Sequence, residues 1–377
     1  MKLIIQIPCY NEAETLEVAL DDLPRELPGI DEIEYLIIDD GSRDETVEVA
    51  RKWGVHHVVR FKQNKGLAKG FMAGLDGCLR NGADIIVNTD ADNQYCAFDI
   101  AALIRPILEG EADIVVGARP IDETEHFSFV KKKLQHFGSW VVRKASNTDI
   151  PDAPSGFRAM SREAAMRLNV VNDYTYTLET IVQAGREKIA ITSVPVRTNE
   201  ELRPSRLFNS IWGYVKKSML TILRAYMMYK PLKSFSFLAL FPILTGLGIG
   251  VRFLAYMAAG QSGGHVQSLI LACTLIIMGF LTFMIGLLAD VIAANRKLLQ
   301  DTQYHARRAE YDALYLQQKM EKEAARTYRV VDRESMQDAA GKRQDVLSGN
   351  CQDEDMPQVS QKETYEDVSG VTNKIVL

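Results

Sequence analysis

Cysteine is scarce in this chain and badly spaced for metal or disulfide chemistry. The five among 377 residues, Cys9, Cys78, Cys96, Cys273 and Cys351, form no CxxC pair or other ligand spacing. That argues against a zinc module or a disulfide framework and fits a reducing compartment. Histidine is equally thin. Of six, only His56 and His57 are close, and they lack the cysteine or carboxylate company of a metal site. An excess of positive charge is absent too. A net charge of −5 gives no global basic field, so nucleic acid is not expected as a partner. Nor does a charged segment with a long apolar run lead the chain. Met1 passes directly into a strand-like stretch over residues 2–7, so no signal peptide is expected.

Apolar residues, by contrast, are plentiful and concentrated. They make up 47% of the whole, yet residues 234–251 and 266–289 hold no charge at all. Each run approaches the ~20 residues a helix needs to cross a ~30 Å hydrocarbon core. The segment Gly260-Gln-Ser-Gly-Gly264 makes a short turn between them. A transmembrane hairpin is the expectation, with two buried core helices as the alternative. Pro242 and the glycines do not oppose it, because membrane helices tolerate both. Lys216, Lys217, Arg224, Lys230 and Lys233 precede the first run, and Arg296, Lys297, Arg307 and Arg308 follow the second. Between the runs stand only Arg252 and His265. The positive-inside rule then places both large segments and both termini in the cytoplasm.

The segments around this hairpin differ in character. Residues 1–205 read as a soluble α/β domain. Over 206–232, Leu207, Ile211, Tyr214, Val215, Leu220, Leu223 and Met227 recur at helical spacing between basic residues. That predicts an amphipathic helix on the membrane surface, or an ordinary helix packed on the domain. The apolar pair occupies 233–293. Residues 294–330 are helix-forming, with Leu298, Tyr311, Leu314, Tyr315 and Met320 as candidate packing positions. This helix is expected to associate with the domain or with itself in a homo-oligomer, a role the transmembrane helices could share. Residues 331–377 are polar and expected to be disordered.

Within the first domain, residues 3–7, 35–38, 84–88 and 113–116 are short apolar runs suited to buried parallel strands. Helical patterns over 12–23, 44–53, 66–79 and 98–108 separate them. This alternation implies a doubly wound sheet, which binds ligands at the carboxyl ends of its strands. Polar motifs stand at those ends. Asn88-Thr-Asp-Ala-Asp-Asn-Gln94 carries Asp90, Asp92 and Gln94, hard oxygen ligands suited to Mg²⁺ or Mn²⁺. Alone, such a pair of aspartates is equally a turn with side-chain hydrogen bonds. Ile7-Pro-Cys-Tyr-Asn-Glu12 follows the first strand and Asp39-Asp-Gly-Ser-Arg-Asp-Glu-Thr46 the second, while Asn64-Lys-Gly-Leu-Ala-Lys-Gly70 opens the third helix. Acidic residues at strand ends can accept hydrogen bonds from a nucleobase or ribose. Gly41 and Gly66 allow close backbone approach. Lys65 or Lys69 near a helix start suits phosphate. Ser42 or Asp44 would also cap the next helix, a role compatible with ligand binding.

Taken together, these motifs resemble glycosyltransferase family 2, with its GT-A nucleotide-sugar fold. The later motifs Val116-Gly-Ala-Arg119, Asp152-Ala-Pro-Ser-Gly-Phe-Arg-Ala159 and the stretch from Val194 to Leu207 resemble the branch that glycosylates polyprenyl or dolichyl phosphate. The resemblance covers roughly residues 1–295, and the membrane hairpin fits it. It implies that Pro8, Tyr10, Asn11, Glu12, Asp39, Asp40, Gly66 and Lys69 surround the nucleotide-sugar. It implies that Asp90, Asp92 and Gln94 hold the metal and the donor diphosphate. Arg119 would face the acceptor phosphate, with Ser155, Gly156, Phe157 and Arg158 lining that side. Arg203, Ser205 and Arg206 match a basic loop of the family incompletely, since the glycine-containing spacer is shortened here. The implied reaction is inverting transfer of a hexose, with GDP-mannose and UDP-glucose as leading donors and UDP-N-acetylhexosamine behind them. Such an acceptor is already anionic, so basic residues matter more than a general base. Arg119, Arg158, Arg203 and Arg206 are the candidates, joined by Lys132 and its neighbours Lys131 and Lys133, which would equally suit solvent or lipid headgroups. Asp152 is the base should the acceptor be a hydroxyl. A processive polysaccharide synthase is disfavoured because no Gln-x-x-Arg-Trp precedes Trp140 or Trp212. A non-catalytic scaffold is disfavoured by the intact Asp90, Asp92 and Gln94.

Overall fold

The computed structural model describes residues 1–120, 139–140, 142–143, 146–170, 176–199, 227, 231–258 and 266–348, with side chains through 320 except 318. The amphipathic stretch expected over 206–232 lies almost wholly outside these residues, as do the 260–264 turn and residues 349–377.

Strand β1 (Lys2–Cys9) shows why the apolar runs fold as they do. Leu3, Ile5 and Ile7 point into one core, while Ile4 points into another on the opposite face. A strand covered on both faces is near-continuously apolar, as observed. Beside it lie β2 (Glu32–Asp39), β3 (His57–Arg60), β4 (Ile85–Asn88), β5 (Ile114–Ala118), β6 (Arg158–Ser161) and β7 (Ile191–Pro195). Their order in one sheet is β3-β2-β1-β4-β6-β5-β7. Helices α1 (Leu16–Asp21), α2 (Thr46–Trp53) and α4 (Ile100–Leu108) help to enclose the first core. Helices α3 (Leu67–Arg80) and α5 (Arg162–Arg167) cover the second, and α6 (Thr177–Glu187) borders a third cluster beside β5. This is the mixed α/β, GT-A arrangement that the resemblance implies.

The sheet departs from a purely parallel one at β6, which runs antiparallel to both β4 and β5. Its register sets Arg158 opposite Asn88. The reversal returns the segment before β6 to the carboxyl end of β4, where the aspartate motif begins. Strands β3, β6 and β7 are missing from the apolar runs for simple reasons. β3 is a four-residue edge strand that ends in exposed Arg60. β6 opens on an arginine, and the centre of β7 is the polar pair Thr192-Ser193.

Two helices, α7 (Pro231–Ala258) and α8 (Val266–Ser348), are long and apolar enough to cross a membrane. They pack on one another through small residues, as membrane helices do. A Cβ on Gly279 would sit 2.4 Å from Ile243, and one on Gly246 would sit 2.9 Å from the Ala272 carbonyl. Their outer faces are apolar and exposed, with Phe237 and Phe241 prominent. Helix α8 does not stop at residue 330 but continues to Ser348. The added stretch is rich in good helix formers and contains no proline. Of its candidate packing positions, Tyr311 is buried and Leu314 partly so, whereas Leu298 and Met320 are exposed. Its partner is the α3 and α5 face of the domain.

Candidate active site

Three loops meet at the carboxyl ends of β1, β2 and β4. The first two are stapled together by hydrogen bonds between main chain and side chain. Asn11 N–H donates to Ser42 Oγ, Glu12 N–H to Thr46 Oγ1, and Arg43 N–H returns to Asn11 Oδ1, each at 2.9 Å. Asn11 itself adopts φ 55°, a left-handed conformation that asparagine tolerates. Asp44 ties both loops, accepting from Ala13 N–H and from Thr46 at the start of α2. Glu45, not Ser42 or Asp44, is the cap residue of α2 and makes no side-chain cap bond, so Asp44 serves as a cross-link between the loops. Tyr10 stands exposed at the rim.

The paired aspartates after β2 do different work. Asp40 accepts the main-chain N–H of Lys65 at 2.6 Å and of Gly66 at 2.9 Å, so it fixes the turn that opens α3. Burial nonetheless raises its carboxyl above the usual range. Asp39 is fully buried; its Oδ1 accepts Ser42 N–H at 2.9 Å. Its Oδ2 lies 3.0 Å from Arg60 Nε, yet accepts no hydrogen bond among the described residues. The Arg60 guanidinium offsets its charge, but a hydrogen bond is still unmade on a buried oxygen. The N–H edge of a pyrimidine or guanine base would satisfy it. Gly41, at φ 75°, brings this loop against residues 63 and 64, where a Cβ would lie 2.6 Å from the Gln63 carbonyl carbon. Lys69 is exposed near the start of α3.

Beyond β4 the chain carries Asp90 and Asp92. Burial and the Asp92 carboxylate push Asp90 up to about 7, against the pull of Arg119 and Arg158. Asp92 Oδ1 accepts Gln94 N–H at 3.2 Å, and Asn93 takes φ 55° to make the turn. Among the described residues, no three His, Cys, Asp or Glu side chains cluster as a complete metal site. Asp90 beside the Asp92 carboxylate does fit a divalent cation whose remaining ligands would come from a bound diphosphate and water. On this chain Asp90 and Asp92 would hold it, with Gln94 adjacent.

Arg119, after β5, is fixed by Asp152. Its Nε donates to Asp152 Oδ2 at 2.7 Å, its Nη2 to Oδ1 at 3.1 Å and its main-chain N–H to Oδ2 at 3.2 Å. Arg158, expected on the acceptor side, is buried instead. Its Nε donates to Ser155 O and its Nη2 to Ala153 O, both at 2.9 Å, while Nη1 reaches Thr180 Oγ1. The reason is the antiparallel β6, which turns this side chain under the 153–156 loop. Buried Ser155 is part of that loop. Gly156 touches the site directly: a Cβ there would lie 3.2 Å from both Asp90 carboxylate oxygens. Lys132, Arg203 and Arg206 lie outside the described residues.

Several supporting residues were not singled out by sequence. Asn88 Nδ2 donates to Gly156 O and Tyr176 Oη at 2.9 Å, and its Oδ1 accepts Gln6 Nε2 at 2.9 Å. Tyr95 Oη accepts Gly156 N–H at 3.1 Å. Asn199 Nδ2 donates to Asn93 O at 3.0 Å and braces the aspartate turn from beyond β7. The only signal for Asn88 was a polar residue closing an apolar strand.

Comparison with known proteins shows the family. The glycosyl transferase family 2 model matches residues 4–168. An uncharacterised protein of Methanocaldococcus jannaschii is 30% identical over 219 residues, covering 56% of this chain and 88% of its own length. The UDP-N-acetylglucosamine–dolichyl-phosphate N-acetylglucosaminyltransferase of Methanococcus voltae is 29% identical, covering 51% of this chain and 83% of that protein. The polyprenol monophosphomannose synthase of Mycolicibacterium smegmatis is 25% identical, covering 55% and 82%.

Proposed function

The chain belongs to glycosyl transferase family 2, and from that premise we propose that it moves one hexose from a nucleotide-sugar to a polyprenyl phosphate at the cytoplasmic membrane face. The observation that carries this reading is the joining of the cleft to two membrane-length helices, of which α8 packs back on the transferase domain. The relatives named for dolichyl-phosphate and polyprenol substrates support it. Their names span N-acetylglucosamine and mannose, so donors with either UDP or GDP stay in view.

The nucleoside sits between the β1 and β2 loops, with its base N–H edge on Asp39 Oδ2. Asp40 acts by holding the Lys65–Gly66 turn in place for the phosphates. A bound Mg²⁺ or Mn²⁺ supplies charge neutralisation to the leaving diphosphate, an effect worth several kcal/mol. Asp90 and Asp92 would hold that ion, and Gly156 leaves the Asp90 carboxylate room. The acceptor phosphate oxygen then displaces the diphosphate at the anomeric carbon and inverts it.

No proton need be removed from a phosphate nucleophile at neutral pH, so the demand on the chain is to bring two anions together. Arg119 answers it. Its Nε and Nη2 hold Asp152, which leaves the Nη1 edge for an acceptor oxygen. Arg158 holds the 153–155 carbonyls and so positions the loop. Lys132, Arg203 and Arg206, outside the described residues, are the further basic candidates for the acceptor phosphate. A lipid anchor explains the membrane helices, because each CH₂ drawn into water costs about 0.8 kcal/mol.

The acceptor group separates this reading from hydroxyl transfer. Polyprenyl phosphate should accept sugar, and the matching polyprenol should not. Equal transfer to the alcohol would contradict it and make Asp152 the general base.

A further inference from the structure

Helix α8 leaves the apolar span and enters the domain without a break. From Leu287 to Ala340 it contains neither glycine nor proline, so nothing in its sequence kinks the rod. Along its stem two tyrosines, two turns apart, are buried against the domain. Tyr304 Oη donates to Glu163 on α5, and Tyr311 Oη donates to Asp76 on α3, each at 2.5 Å. Between them, Arg307 donates to the Leu168 carbonyl at 3.0 Å. Phenols buried with their hydroxyls paired define a seat rather than a loose contact.

The contacts continue beyond the two tyrosines. Arg307 meets the end of α5, while further along α8 the Tyr311 carbonyl and the Tyr315 ring meet Arg162 at its start. Arg162 follows β6, beside Asp84 at the start of β4. Further still, Tyr315 and Lys319 line a shallow cavity with Met1, Lys2 and Asp84, at the amino ends of β1 and β4. The stem of α8 therefore ends beside the amino ends of β1 and β4. From Arg296 to Tyr304 the helix rises only about 12 Å.

We propose that the stem of α8 is a strut, seated by Tyr304, Arg307 and Tyr311, that fixes the height and tilt of the cleft over the bilayer and so serves transfer to a membrane-held acceptor. This rests on the polyprenyl-phosphate reading. Its physical content is proximity: a domain free to tumble meets a bilayer-bound phosphate in few orientations.

The test inserts Gly-Ser-Gly-Ser between Leu299 and Gln300, leaving the seat intact but uncoupling it from the span. A Tyr304→Phe, Tyr311→Phe double variant removes the hydroxyls while keeping both rings. Transfer is measured to long-chain polyprenyl phosphate in vesicles and to a short, water-soluble prenyl phosphate. The insertion should lower vesicle transfer about tenfold or more and leave the soluble acceptor within about twofold. The double variant should show the same selectivity with a smaller loss. Unchanged vesicle transfer after insertion, or an equal fall with both acceptors, overturns the strut.

A second readout does not need activity. With Cys96, Cys273 and Cys351 changed to serine, a fluorophore on Lys52→Cys reports its distance to labelled lipid headgroups by energy transfer. The distribution should be narrow in the parent and broad after insertion; equal widths overturn the strut. If the parent glycosylates neither acceptor, the functional reading fails, while the distance measurement still decides the strut.

Discussion

Burial and the neighbouring Asp92 raise Asp90 to about 7, far from the ~3.9 of an aspartate in an unfolded chain. The folded protein without metal thus keeps a proton that the unfolded chain has lost. Stability supplied by that proton is present below pH ~4, declines as pH rises to about 7 and is flat above, the reverse of a salt-bridged aspartate. A divalent cation competes for the same carboxylate, so its affinity should climb across this window. Asp90→Asn removes the titration. In metal-free protein at pH 8 it should raise the melting temperature by a few degrees, and with metal present it should abolish most transfer. A lower melting temperature with near-normal turnover would contradict both statements. At this scale the sequence was informative about which residues gather and less so about what each does. Asp39 and Asp40 look equivalent in line, yet one keeps a buried oxygen without a hydrogen bond and the other caps a turn. Arg158 is indistinguishable from Arg119 until β6 turns it inward. Side-chain direction depends on register, which no local pattern encodes.

At the scale of elements, the strands with two covered faces were legible because burial on both sides leaves a continuous apolar run. β6 and β7 were not, since an antiparallel insertion and an edge strand carry polar residues. The loops show how elements set the site. Gly41 allows the β2 loop to press on the segment before α3, and that contact aligns Asp39 with the Asp40-capped turn. Gly41→Ala combines a disfavoured φ with a backbone clash, so both loops must part. Donor affinity should fall at least about tenfold, with a stability loss of order 1–3 kcal/mol. Calorimetry with GDP- and UDP-sugars and a thermal melt check this; unchanged donor affinity would remove the β2 loop from the nucleotide site.

Across the whole molecule, charge and hydropathy told more than any motif. Two charge-free runs marked the two long apolar helices, and flanking lysines and arginines set the orientation we propose for them. The return of α8 was only half visible. Tyr311 and Leu314 stood among the candidate packing positions, but with Leu298 and Met320, which face outward. A seat made of phenols on carboxylates has no apolar period to announce it. On the proposed reading, one sheet supplies the nucleotide-sugar cleft and one helix both crosses the bilayer and holds that cleft to it. The most direct measurement supplies the intact protein, in vesicles containing polyprenyl phosphate and Mg²⁺ or Mn²⁺, with a panel of radiolabelled GDP- and UDP-sugars, and counts label extracted with the lipid. The account predicts lipid-linked label from one nucleotide-sugar, dependent on the metal and lost in Asp92→Asn. Label that stays in water with every donor, while the nucleotide is still released, would contradict it.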